Sequence, residues 1–408
     1  MRRKTLKSKI NKALTLLFSA GLIGITSSQA VAQSIATQGN TNSSYTNSQT
    51  DLNKNSLENI HPSLKNLKIN GVWYISYMNG KGKDVGGNSG DGIQRSKFVI
   101  KRGYLRFTKG IKPWLNAHVT FDVTQVKDAG SNLDGSIAVR IKYLFGKFKF
   151  PDFGFFTKPS LEVGLVHFPW LDFEEHINFY RCQDTMFTER NGLFNSADLG
   201  LTFFALLGGE ISKDYQKKVN SHYPGKYGSI ALGIYNGAGY HGSEKNNNKP
   251  IEGRITIRPF PNILPGLQIS YFGILGKGNN ATNPDWRVNL LFLSYENQYL
   301  TTTGQYYWGK GNFKGVDENN KDGYSFFLEL KLYAFNPDVK VSLIGRYDYF
   351  DPNKDQKNDE NKRYILGIAY HLDKPHKNMI LLDYDHVHYE DPTKKDDNRI
   401  QLTLQLKF

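Results

Sequence analysis

The sequence predicts an all-β fold: a membrane-spanning antiparallel β-barrel of about 16 strands whose third external loop folds inward. Three observations carry this. Apolar and polar residues alternate with period two along most of the chain, as in strands with one apolar and one wet face. The connections between those segments sort by parity into long polar loops and short turns. And the chain is 13% aromatic yet has no run of 18 apolar residues, the pattern left when only alternate residues meet lipid.

The elements follow in order. Residues 1–32 read as a signal peptide. Arg2, Arg3, Lys4, Lys7, Lys9 and Lys12 form a basic n-region, Ala13 to Ile25 is apolar, and Ala30-Val31-Ala32 offers small residues for cleavage. The apolar stretch falls short of the roughly 20 residues a spanning helix needs. Residues 33–65, rich in Asn, Ser, Thr and Gln without apolar periodicity, read as a flexible periplasmic leader. The barrel is expected over 66–408.

Its strands are expected near 66–78, 95–109, 113–127, 136–148, 160–167, 197–210, 226–238 and 251–260. The second half lies near 266–276, 286–296, 298–309, 323–335, 338–350, 361–373, 377–390 and 398–408. The last is the clearest: Ile400, Leu402, Leu404, Leu406 and Phe408 alternate with Gln401, Thr403, Gln405 and Lys407. In another, Ile137, Val139, Ile141 and Tyr143 are set outward against Arg140 and Lys142. Long loops follow odd strands, as at Gly80 to Gly92 and Lys310 to Asp322. Short turns follow even strands, as at Lys112-Pro113 and Asn336-Pro337. Two turns, 149–159 and 211–225, are long for that side. A closed sheet pairs every backbone group without an edge, as hydrocarbon requires. Sixteen strands leave a lumen wide enough for water.

One external segment, Phe168 to Ser196, is unlike the others: it carries Trp170, Phe173, Phe179, Tyr180, Met186, Phe187 and Phe194. A loop this apolar should pack on something, and the inner wall is nearest. Strand parity turns Arg102, Arg106, Arg140, Lys142, Arg254, Arg258, Lys331 and Arg346 into the lumen. Inward acids oppose them: Asp122, Glu162, Glu252, Glu329 and Asp348. Tiers of Arg and Lys in a low-dielectric wall favour anions.

The charge balance excludes other classes. Six of the 52 basic residues lie in the signal, which leaves 46 against 38 acids, or +8, with no basic block of the kind that binds nucleic acid. Cys182 stands alone, so no internal disulfide can form. No nucleophile motif is present, so no catalytic residue is assigned. His386 and His388 beside Asp385 have possible metal spacing on a strand, but no third ligand is near in sequence, and a polar pair is the expectation. No metal or cofactor is expected.

Several stretches then resemble the phosphate-selective porin O and P family. They are Leu161-Glu162-Val163-Gly164-Leu165-Val166-His167-Phe168-Pro169, Phe187-Thr188-Glu189-Arg190 with Ala197-Asp198-Leu199-Gly200, and Ala231-Leu232-Gly233-Ile234-Tyr235-Asn236-Gly237. Gly253-Arg254-Ile255-Thr256-Ile257-Arg258-Pro259-Phe260 and Gly345-Arg346-Tyr347-Asp348-Tyr349-Phe350 continue the resemblance, which spans about 95–408. It implies a trimer of 16-stranded barrels passing anions, phosphate among them, through an arginine-lined pore. It supports Arg190, Arg254, Arg258 and Arg346 as family-like positions. The chain departs from the family at His167, where lysine is common, and at Ala197, where arginine is common; both changes remove positive charge.

The expectation is therefore a diffusion channel in the outer membrane of a Gram-negative-type bacterium, preferring small anionic or polar solutes. Its partners are outer-membrane lipid, two further copies of the chain, and the barrel-assembly machinery through the strand ending in Phe408. A non-selective porin is the first alternative, and a barrel enzyme or adhesin the second.

Overall fold

A computed structural model describes residues 64–126 and 130–408; the expected signal peptide and nearly all of the leader lie outside the described residues. Sixteen strands form one closed antiparallel barrel. They are β1 Leu67–Gly80, β2 Arg95–Lys112, β3 Leu115–Gln125, β4 Ile137–Lys149, β5 Phe156–His167, β6 Ala197–Leu207, β7 Gly228–Tyr235 and β8 Ile251–Ile257. There follow β9 Leu267–Lys277, β10 Asp285–Glu296, β11 Leu300–Lys310, β12 Asn320–Lys331, β13 Val341–Asp351, β14 Asn361–His371, β15 Met379–Tyr389 and β16 Asp397–Lys407. Each pairs with its sequence neighbours, and β16 closes on β1 from Val72↔Lys407 to Gly80↔Arg399.

The alternation in the sequence becomes the two faces of the wall. On β16, Ile400 and Leu402 are 55% and 46% exposed, whereas Gln401 and Thr403 are fully buried inside. Apolar-out and polar-in is the reverse of a soluble core and is the arrangement that hydrocarbon selects.

Four register shifts interrupt the ladders, and two of them, on β2 and β4, bear on the inner wall. Tyr74 pairs with Arg102 and Ile75 with Ile100, so Lys101 is an extra residue in β2. Thr120 pairs with Tyr143 and Phe121 with Ile141, so Lys142 is an extra residue in β4. A bulge shifts the facing of all that follows by one residue. Tyr143, expected outward, is therefore buried, with its ring 3.9 Å from that of His167. Lys101, which strict alternation left outside, points in and donates to the Cys182 carbonyl at 3.1 Å.

At the closure, Gly71 and Phe408 exchange backbone hydrogen bonds of 3.0 and 3.1 Å. The Phe408 ring lies edge-on to Trp73 at 5.3 Å. A Cβ at Gly71 would sit 2.5 Å from Cζ of Phe408, so glycine lets the ring lie directly over the β1 backbone. Deleting Phe408 removes two closing bonds, each contributing about 1 kcal/mol, and uncovers a strand end. The chain lacking Phe408 should insert less well than a chain lacking residues 40–50, judged by the heat-modifiable fraction in outer membranes. Equal insertion of the two would count against the C-terminal strand as the assembly element.

Candidate functional site: a lumen divided by the long loop

The segment 168–196 leaves the wall after His167 and rejoins it at Ala197. It carries two short helices, α1 Leu171–Glu175 and α2 Phe187–Arg190. Phe168, Trp170, Phe173, Phe187 and Phe194 are all 2% exposed or less. Trp170 packs on Phe272 of β9 and Phe292 of β10 at 5.5 and 5.2 Å. Burying such a side chain contributes roughly 2–3 kcal/mol, so the aromatic set fixes the loop against the wall.

Polar contacts carry it further round. Glu174 accepts from Trp170 Nε1 at 2.8 Å and from Gln305 Nε2 of β11 at 2.7 Å. The Tyr180 hydroxyl donates to Glu329 of β12 at 2.7 Å. Gln183 donates to Asp385 of β15, Asp184 pairs with Arg399 of β16 at 2.8 Å, and Arg190 pairs with Asp348 of β13 at 2.9 Å. The loop thus meets the inner wall from β8 to β16 and on to Lys101 of β2.

The nine cations expected in the lumen separate into three groups. Arg102, Arg106, Arg140 and Lys142 stand on β2 and β4. Among the described residues, Arg102 and Arg106 have no hydrogen-bond or ion-pair partner; Arg106 lies 5.7 Å from the Tyr104 ring centre. Lys142 donates to the Tyr104 hydroxyl at 3.1 Å. Arg140 pairs with Asp122 at 2.8 Å and lies over Tyr240 at 5.0 Å. Arg190 and Arg346 form the second group, both clamped on Asp348.

The third group is a correction. Arg254 and Arg258 point inward but are only 1% and 2% exposed, so little of either meets water, and Arg254 only edges the turn-side cavity. Arg254 donates to the Pro169 carbonyl at 2.8 Å, to Ser229 Oγ at 2.9 Å and to Thr256 Oγ1 at 2.6 Å. Its guanidinium is held between Phe173 at 4.1 Å and Tyr223 at 5.2 Å. Arg258 is spent on the carbonyls of Gly225 and Pro265. Lys331, 3% exposed, donates to the Asn297 carbonyl at 3.0 Å. Parity gives the direction of a side chain; it does not register that another segment covers it.

Sequence reasoning missed Arg181, Arg363 and Arg399. Arg181, on the loop, bridges Glu175 at 2.9 Å and Glu189 at 3.3 Å. Its charge and that of Glu189 both act on Arg102 across the lumen. Arg399 meets Asp84, Asp184 and Asp385, and Arg363 meets Asp84 and Asp385. The alternation of the fourteenth and sixteenth segments could have signalled Arg363 and Arg399; no sequence pattern signals Arg181.

The long turn between β6 and β7, with helix α3 at Lys213–Lys218, also enters the site. Asn220 donates to the His176 carbonyl at 2.7 Å, Tyr223 donates to Asp172 at 2.5 Å, and the rings of His176 and His222 lie 4.0 Å apart. Burial and the neighbouring His176 push His222 down to about 4, from an ordinary 6.5. Burial also acts downward on His176, but Asp172 outweighs it and His176 moves up. The sign follows. A depressed His222 costs docking free energy as pH falls from 6.5 towards 4, because the undocked ring takes a proton first. A raised His176 favours docking below 6.5 and loses that advantage as pH rises through its raised value. Open-channel current should therefore step between pH 6.5 and 4, and His222→Gln should remove the step. A step that survives the substitution sinks this assignment.

Two cavities flank the loop. One, of 320 Å³, opens among the long-loop ends and is lined by Asp84, Asp184, Arg190, Arg363 and Arg399. The other, of 790 Å³, opens among the turns and is lined by Lys147, Glu162, His167, Asp172 and His222.

No protein-family model matches the sequence, and no curated protein matches it. Solved structures do resemble the fold. Salmonella typhi OmpF, in complex with daunomycin, aligns with a TM-score of 0.55 at 11% identity, over 86% of this chain and 99% of that one. A loop-deleted OmpT, an outer-membrane protein of Vibrio cholerae, aligns at 0.53 and 10% identity, over 84% and 100%. An anion-selective porin from Comamonas acidovorans aligns at 0.52 and 12% identity, over 84% and 99%. At these identities the likeness is one of architecture, and the chain has the closed 16-stranded fold of the outer-membrane porins.

Proposed function

We propose that the protein is an outer-membrane porin: a water-filled diffusion channel, not an enzyme, with a preference for small anions. One observation carries the preference. Arg102 and Arg106 lack acidic partners among the described residues, and the carboxylates of the loop that act across the lumen from this wall, Glu175 and Glu189, are both held by Arg181. Arg102, Arg106 and Lys142 on this face are thereby left, among the described residues, without a carboxylate partner, while Arg140 is held by Asp122. In a narrow low-dielectric passage such a face concentrates anions. Resemblance to the phosphate-selective porins makes phosphate one candidate among them and supports a homotrimer. The apolar outer wall supports residence in lipid, with Phe408 presented to the assembly machinery.

A second reading, a general porin, is favoured by the pairing of Arg140, Arg190 and Arg346 with Asp122 and Asp348. Reversal potential in a potassium chloride gradient separates the two. The wild type should favour chloride, and Arg102→Gln with Arg106→Gln should move it towards potassium, less so in concentrated salt, where the Debye length is about 3 Å. A wild type with no preference, or a double variant with an unchanged one, would establish the general porin.

A further inference from the structure

At the turn end of the barrel, three ligating side chains from separate elements converge. Glu329 lies on β12, His371 ends β14, and His376 sits in the following turn at φ 60°. One ligand atom from each lies within 4.8 Å of the other two. Glu329 and His371 are each 1% exposed.

The hydrogen bonding at Glu329 is lopsided. Its Oε1 accepts from His376 Nε2 at 2.7 Å, Tyr180 OH at 2.7 Å and Ser342 Oγ at 2.9 Å. Among the described residues, Oε2 accepts no hydrogen bond. His371 Nε2 meets Ser342 Oγ at 3.0 Å, while its Nδ1 accepts from the His376 backbone N–H at 3.3 Å. A buried carboxylate with three donors on one oxygen and none on the other has acceptor capacity in reserve, beside two imidazoles.

We propose that Glu329, His371 and His376 bind a divalent transition-metal ion of the Zn²⁺ class. Two imidazoles and one carboxylate, with a fourth position left for water, suit that ion. Ligand distances of about 2.0–2.2 Å require donor atoms roughly 3.3–3.5 Å apart. His376 must therefore step back from Glu329 by less than about 1 Å. It is placed to do so, since its side chain is 13% exposed and stands on a turn. On ligation through Nε2 the His371 proton passes to Nδ1, which gives up its bond from the His376 N–H as the turn steps back, and Ser342 and Tyr180 remain to orient Glu329. The Phe179 ring stacks on His376 at 4.6 Å and Tyr180 bonds Glu329, so an ion here joins the long loop to the turn-side rim.

The test uses the folded full-length protein in detergent with zinc chloride. Binding is followed by calorimetry, and each histidine's acylation by diethylpyrocarbonate is read by mass spectrometry. Zn²⁺ should lower acylation of His376 by about tenfold, while His388, paired with Asp396 at 3.0 Å, stays reactive. His376→Asn, a residue that tolerates positive φ, should weaken binding about tenfold or more. Unchanged acylation of wild-type His376 overturns the proposal and leaves a hydrogen-bonded knot, as does protection confined to His386 and His388. The acylation arm needs no variant, so a folding defect in His376→Asn cannot obscure the answer.

Discussion

Replacing Arg254 with methionine should release the base of the long loop and raise single-channel conductance, leaving the barrel closed. The guanidinium donates to Pro169, Ser229 and Thr256 and stacks between Phe173 and Tyr223. Methionine fills much of the volume but leaves those acceptors unmet in a buried site. That costs about 2–5 kcal/mol of loop docking. The ladder β7–β8–β9 is backbone-paired and does not depend on this side chain. Heat-modifiable migration should therefore persist while protease reaches the segment 168–196. The sequence alone suggests the opposite outcome, a pore cation whose loss alters ion preference and little else. A variant with wild-type conductance and a changed reversal potential would restore that view.

Arg181→Gln should reverse the sign of the ion preference. The substitution removes one positive charge and frees Glu175 and Glu189 to face Arg102 and Lys142. One unit charge about 6 Å from a permeating ion, at an effective dielectric between that of water and 20, acts with roughly 1–3 kcal/mol. The lower figure alone corresponds to about a fivefold change in the chloride-to-potassium permeability ratio. Reversal potentials across a planar bilayer measure it. An unchanged ratio would show that Glu175 and Glu189 do not face the permeation path. Because both carboxylates are on the loop, a combined Glu175→Gln and Glu189→Gln change in the Arg181→Gln background should bring the anion preference back.

The barrel was legible in the sequence because its physics is local and periodic. Lipid on one side and water or loop on the other impose period two, and the alternation from Ile400 to Phe408 states it directly. All sixteen segments correspond to observed strands, with ends displaced by a few residues. The site was legible only in part. Arg102, Arg106, Arg140 and Lys142 stand on the inner wall as their neighbours imply. Tyr143 was misread because a bulge is a defect in pairing between two strands, and a single strand's pattern does not contain it. Arg254 and Arg258 were misjudged for another reason. Their burial is made by Phe173, Tyr223 and Tyr215, from a loop and a turn distant in sequence. Glu329, His371 and His376 escaped for the same cause, since no local spacing joins a strand, a strand end and a turn.

The path of the loop sets an order of events. Its far reach, at Cys182 to Asp184, touches Lys101 of β2 and Gln401 and Arg399 of β16, the strands on either side of β1. Those two surfaces are neighbours only after the first and last strands have met. The tip has no complete berth in an open sheet, so its docking must follow closure. Cys182, fully buried beneath it with its thiol pushed up to about 12 by burial, is then a clock for assembly. It is open to a thiol reagent while the sheet is still a ribbon and silent once the ring is shut.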